Sequence, residues 1–295
     1  MNKKPKWTGK TYGTRIGHTS FFIIARFFNR FVASFFLLPV KLFYFFFIPK
    51  SHDGAKQFFC NVFPGIAAWK LLVFSYKRVS SFADSLLDKV YLQVGGGKGF
   101  SVDFPGTKNV LDALELNRGV IVLSAHIGTW EVASRFFSRL QRKVSVIVYE
   151  AERPEIKQIQ RHLAGSEELP FTFIYINEPV EAIIRIKNAL NRNEIVVMHG
   201  DRTMGKGIER SFFGKKAVFP TLPYSIAAKT GSPIVVAFCV RLKSRMYRTV
   251  TYPFYTVMDD TSESIVQGLQ HYCSRLEEII REYPFQWYNF YRFWD

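Results

Sequence analysis

Cysteine is scarce: the chain has three, Cys60, Cys239 and Cys273, in no paired spacing. An odd and scattered set excludes a disulfide framework and offers no metal-ligand pattern, which leaves reduced thiols packing as small hydrophobes in a reducing compartment. Long apolar runs are also missing. The most apolar segment, residues 19–49, is interrupted by Arg26, Arg30 and Lys41, so no stretch attains the roughly 18 to 20 uninterrupted residues of a simple spanning helix. Those charges, with no small-residue cleavage site after them, exclude a secretory signal peptide. Acidic residues are few, 24 against 40 Lys and Arg, for a net charge of +16. There is no internal repeat and no low-complexity tract. No G-x-S-x-G elbow is present. The glycines of "VGGGKGFSVDFPG" make no phosphate loop, because Gly99 follows Lys98 where Ser or Thr is needed, so a flexible connection is expected there.

Phenylalanine is abundant, with 30 residues in an aromatic share of 17%. In residues 19–49 a helical step of about 100° puts Arg26, Arg30 and Lys41 near one face and Phe, Leu, Ile and Val on the other. Two readings stay open. The helix can lie in a membrane interface with its cationic side toward headgroups, bent at Pro39 into two arms, or it can span poorly with its arginines snorkelling. On both, the leader with Lys3, Lys4, Lys6, Lys10 and Arg15 stays cytoplasmic. We expect a basic leader over 1–18, an aromatic-rich membrane-associating helical region over 19–92 and an α/β domain over 93–295. A +16 chain attracts nucleic acid, anionic lipid or an acidic protein. Because much of the charge flanks an apolar segment, a membrane surface is expected and nucleic acid is not.

From residue 107 short apolar runs alternate with amphipathic stretches. Strands are expected at 119–125, 144–150, 171–176, 194–200, 233–240 and 247–255, and helices near 107–117, 129–142, 154–164, 178–192, 221–230 and 262–282. This alternation predicts an α/β fold with a mainly parallel central sheet flanked by helices.

Ligands of such sheets bind beyond the carboxyl ends of the strands. His126 ends "GVIVLSAH", and "EIVVMHGDR" brings His199, Asp201 and Arg202 to an equivalent strand end. Gly128 relaxes the turn after His126, and Glu131 falls in the first turn of the next helix. A carboxylate on one imidazole nitrogen leaves the other free to take a hydroxyl proton. The spacing alone is equally met by a turn histidine and a helix-start carboxylate favoured by the helix dipole.

Several ordered motifs narrow this. "AHIGTWE" is followed by "GDRTMGKGIERSFFGKKAVFPTLPYSIAAKTGSPIVVAF" and by "YPFQWY" near the end. The chain thereby resembles the late acyltransferases of lipid A biosynthesis, the lauroyl/myristoyl type, within the lysophospholipid acyltransferase superfamily. Its diagnostic part is the His-x4-Asp/Glu motif met by His126 and Glu131, with Phe213, Gly214, Pro220, Ala227, Thr230, Gly231 and Pro233 meeting the family's later series. The resemblance implies a glycerolipid acyltransferase-like fold. It also implies transfer of a fatty acyl group from acyl carrier protein to a hydroxyl of a lipid A precursor or related glycolipid, at the cytoplasmic face of the bacterial inner membrane. By carry-over His126 is the base and Glu131 orients it. Asp201, Arg202, His199, Arg210 and Lys215 go to binding the acceptor, and Lys206 and Lys216 add to a basic run suited to phosphate. No metal or organic cofactor is implied.

One departure stands out. The family's C-terminal segment continues after "QW" with a tryptophan and a histidine, whereas "QWYNFYRFWD" has Tyr288, Asn289 and Tyr291. That leaves room for another acceptor, such as a lysophospholipid, an aminolipid or an aryl polyene lipid. A membrane-bound esterase or thioesterase using the same dyad on water is the remaining enzymatic alternative.

Overall fold

A computed structural model describes residues 23, 27–47, 49–94, 98–137, 140, 142–148, 171–203 and 207–294. Among the described residues three helices come first: α1 (Arg30–Phe47), α2 (Pro49–Val62) and α3 (Ala68–Val94). Then come β1 (Ser101–Asp103), α4 (Thr107–Leu114), β2 (Val120–Ser124), α5 (Trp130–Phe137), β3 (Val144–Val148) and β4 (Thr172–Tyr175). The rest is α6 (Pro179–Asn191), β5 (Ile195–His199), β6 (Gly207–Phe212), β7 (Lys215–Pro220), α7 (Leu222–Thr230), β8 (Ile234–Lys243), β9 (Met246–Thr251) and α8 (Ser262–Glu282). The helix expected near 154–164 lies outside the described residues.

Seven strands form one sheet in the order β1-β9-β8-β2-β5-β3-β4. β8, β2, β5, β3 and β4 are parallel, and β9 with β1 runs the opposite way at one edge. The mainly parallel sheet is as expected, and the reason is visible in its central strand. All five residues of β2 are buried, as a strand covered on both faces must be. Val120 and Val122 belong to one core cluster, Ile121 and Leu123 to the other, the two-residue alternation of a strand. Val110 and Ala113 of α4 and Val132 of α5 cover the first face. Ile186 of α6, Ala227 of α7, Leu269 of α8 and Phe58 of α2 cover the second.

The stretch "FSVDF", strand-like in the sequence, contributes β1, paired in parallel with β9. The basic run after Arg202 holds the β6–β7 hairpin. Phe213 and Gly214 link it with φ of 49° and 73°, the left-handed pair that suits the twist of a two-residue hairpin link. The non-glycine member is held in place: the Phe213 N–H donates to Glu277 Oε1 at 2.6 Å and the Arg281 guanidinium lies over its ring.

The N-terminal helix corrects the reading of its charges. Lys41 is buried and gives an ion pair to Asp84 at 2.9 Å, while Arg30 Nε pairs with Asp88 at 2.5 Å. Both carboxylates lie on α3 and also receive Arg241 of β8. The cationic side therefore faces protein, along with Ala33 and Leu37. A buried cation needs a counter-charge, and the acidic residues of α3 supply it from more than forty positions away. Phenylalanines face outward instead: Phe31 is 85% exposed and Phe35 72%. α1 also continues through Pro39 as one helix, not two arms. Among the described residues no helix is long and apolar enough to cross a membrane. Arg26 lies outside them.

Candidate active site

β2 and β5 are neighbours in parallel register, Ser124 opposite His199, so their carboxyl ends open on the same rim. Two residues further along each chain stand His126 and Asp201. His126 Nδ1 lies 2.8 Å from Asp201 Oδ1, and the His126 backbone N–H donates to Oδ2 at 3.0 Å. Asp201 is fully buried. Its Oδ2 also accepts from Trp287 Nε1 at 2.9 Å and Asn289 Nδ2 at 3.1 Å. Burial pushes its carboxyl group up, but the His126 and Arg202 charges and the His126 hydrogen bond outweigh that and hold it well below the usual carboxylate range. An ionised carboxylate only accepts, so Nδ1 carries the proton and Nε2 keeps its lone pair. About 30% of the His126 side chain is open to solvent.

His126 itself is pushed below the ordinary imidazole value, first by burial and then by the Arg202 charge, with Asp201 and Glu131 opposing. It is therefore neutral at pH 7, in the state a base requires. The turn after it is tight. Gly128 has φ +62°, and a Cβ there would stand 1.8 Å from the Cys239 carbonyl oxygen. Only glycine lets the chain pass β8 that closely before α5 begins.

The other expected residues divide. His199 stacks on the His126 ring at 4.5 Å between centroids, and burial drives its pKa down to about 3. Glu131, expected on the imidazole, has an ion pair with Lys89 of α3 at 2.7 Å, and Asp201 is the carboxylate at His126 Nδ1. Asp201, expected to meet acceptor, is fully buried with both oxygens bonded to internal donors. Arg202 directs Nε to Asn289 Oδ1 at 2.6 Å and Nη2 to the Tyr288 carbonyl at 3.0 Å, so it too braces the site. Arg210 and Lys215 are on the β6–β7 hairpin, and none of their described contacts reaches the His126 cluster. Lys206 lies outside the described residues.

Sequence reasoning missed the C-terminal segment as a structural partner. The Tyr288 N–H donates to the His126 carbonyl at 2.7 Å, and the Gly128 N–H donates to the Gln286 carbonyl at 2.9 Å. The "QWYN" stretch thus runs beside the His126 turn and supplies two of the donors to Asp201. Its signals in the sequence were the "YPFQWY" motif and the departure from the family's ending that follows it.

A comparison with family models matches residues 79–295 to the model described as bacterial lipid A biosynthesis acyltransferase. A comparison with curated proteins gave no match.

Proposed function

The chain belongs to the bacterial lipid A biosynthesis acyltransferase family, and from that premise we propose that it moves a fatty acyl group from an acyl carrier protein thioester to a hydroxyl of a lipid A precursor or related glycolipid. The observation that carries the mechanism is the His126–Asp201 pair, with Nδ1–H fixed on a buried carboxylate and Nε2 bare on a partly open ring. The acceptor hydroxyl gives its proton to Nε2 as its oxygen attacks the thioester carbonyl. The tetrahedral adduct then expels the carrier thiolate, which takes the proton back from the imidazolium. Asp201 orients the base and stabilises its protonated form, and Glu131 adds negative charge nearby, as its upward pull on His126 indicates.

The acidic carrier suits a +16 chain. We place the enzyme on the cytoplasmic face of the inner membrane, resting on the exposed face of α1. Phe31, Phe35 and Phe46 are exposed there, as Trp69 and Leu72 are on α3, and exposed large apolar side chains in this number suit a membrane surface. Exposed Lys56, Lys70 and Lys77 on α2 and α3 can meet anionic headgroups.

The test is to incubate the protein with acyl-loaded carrier protein and total bacterial lipid, and to weigh lipids by mass spectrometry while titrating released thiol. One lipid gaining one acyl mass in step with thiol supports the proposal and names the acceptor. Thiol released with free fatty acid, and no acylated lipid, replaces it with hydrolysis.

A further inference from the structure

We infer that Arg78 is a positioning residue for the catalytic pair, acting through the C-terminal segment that holds Asp201; this rests on the reading of His126 as the base. Arg78 is fully buried on α3. Its Nε donates to the Trp287 carbonyl at 2.9 Å and its Nη2 to the Asn289 carbonyl. The guanidinium lies over the rings of Phe58 and Phe290, 4.7 and 4.8 Å from their centroids.

The hydrogen bonds of residues 287–289 alternate in a way that gives these contacts meaning. The N–H and carbonyl of Tyr288 go to His126 and Arg202, whereas the carbonyls of Trp287 and Asn289 go to Arg78. A neighbouring strand would normally satisfy such a pair of carbonyls, and the fork of one guanidinium does so here. The side chains of those same two residues, Trp287 and Asn289, donate to Asp201 Oδ2. Tyr288 points its hydroxyl to Ser81 and Ser85, about one and two helical turns beyond Arg78 on α3. Arg78 therefore fixes the height of the segment from which two of the four bonds to Asp201 are made.

The choice of residue is otherwise hard to explain. No salt bridge to Arg78 is present among the described residues, its Nη1 is buried without a hydrogen-bond partner, and burial lowers its pKa to about 9. A cation so placed is costly to desolvate. A planar donor of two parallel bonds is what the site gains in return, and lysine, a single point of charge, cannot span both carbonyls.

The test measures steady-state transfer and its pH profile for the wild-type enzyme, Arg78→Lys, Asn289→Ala and the double variant. The groups facing His126 are Asp201, His199, Arg202 and Glu131. Of these, Asp201 raises its pKa through charge and hydrogen bond, against burial and Arg202. Loosening Asp201 therefore lowers it, so in Arg78→Lys the acid limb of kcat should move to lower pH. The turnover itself should drop about 10- to 100-fold, with the acceptor KM little changed, as for a small misplacement of a catalytic group. The double variant should be no worse than the poorer single, because both act on one bonded unit. Unchanged kcat per folded molecule with an unmoved acid limb, or losses that multiply, would overturn the role even if the thermal midpoint falls. Arg78→Gln, which keeps a planar amide donor, carries the same comparison should the lysine variant not fold. His126→Ala in the same series separates the two ideas. Transfer surviving there removes the base itself, while transfer lost there but intact in Arg78→Lys removes only the positioning role.

Discussion

Asp201→Asn is the substitution whose consequence the geometry determines most tightly. Three donors converge on Oδ2, from the His126 backbone, Trp287 and Asn289, while Oδ1 meets the His126 ring. An asparagine must place its one oxygen where the three donors are, which turns its NH2 toward His126 Nδ1. Nδ1 must then accept, so the ring proton moves to Nε2, and Nε2 no longer has a lone pair for the acceptor hydroxyl. The expected loss in kcat is that of a general base, about 10²–10⁴-fold. Stability should suffer far less, by about 1–3 kcal/mol, since the three converging donors keep an acceptor and only charge assistance is lost. Asp201→Ala should be worse for folding, because it leaves buried donors unpaired. Single-turnover transfer from carrier-bound acyl group, with nitrogen NMR of the His126 tautomer and a urea midpoint, measures all three quantities. Turnover within about tenfold of wild type, on a ring shown to be protonated at Nε2, would refute the assignment of His126 as base.

Other outcomes follow from the same structure. His199 is held neutral in the fold to about pH 3, whereas in the unfolded chain it titrates near the ordinary value of about 6.5. The unfolded state then binds the extra proton, so stability should fall as pH drops from about 6.5 toward about 3, and His199→Phe should flatten that slope in urea titrations. If the slope persists unchanged, His199 is not its source. Phe31→Ser with Phe35→Ser should weaken vesicle binding by roughly 30- to 700-fold, from two rings partly buried at about 1.5–3 kcal/mol each when fully buried. Vesicle sedimentation should show this at about 1 M salt, where the Debye length is ~3 Å and charge is screened. Wild-type binding that vanishes at that salt would instead assign the contact to the basic residues.

How much was legible in advance depended on the range of the interaction. β2, β5 and β8 could be placed because a strand buried on both faces leaves an unbroken apolar run, as "VIVLS" does. Glu131 suggested itself as the partner of His126 because it is five positions away, but the carboxylate on the ring comes from 75 positions away. That pairing follows only once β2 and β5 are adjacent in register, and single-chain periodicity does not report adjacency. Asp201 was among the residues singled out, for binding the acceptor, and the structure brings it onto the His126 ring. The helical face carrying Arg30 and Lys41 was correctly grouped, yet its direction was decided by Asp84 and Asp88 on α3. The β6–β7 hairpin was hidden because "GIERSF" and "KKAVFP" carry charges on adjacent positions, Glu209 with Arg210 and Lys215 with Lys216, which interrupts the period-two alternation of a strand. Trp287, Asn289 and Arg78 have no local pattern, since what they do depends on where the last segment meets the first helices.

The most direct test of the account is single-turnover acyl transfer by His126→Ala, with circular dichroism confirming the fold and vesicle binding measured alongside. The account predicts folded, membrane-bound protein whose transfer rate falls by at least about 10²-fold. Transfer near the wild-type rate would contradict it, and would place the base of this reaction somewhere other than His126.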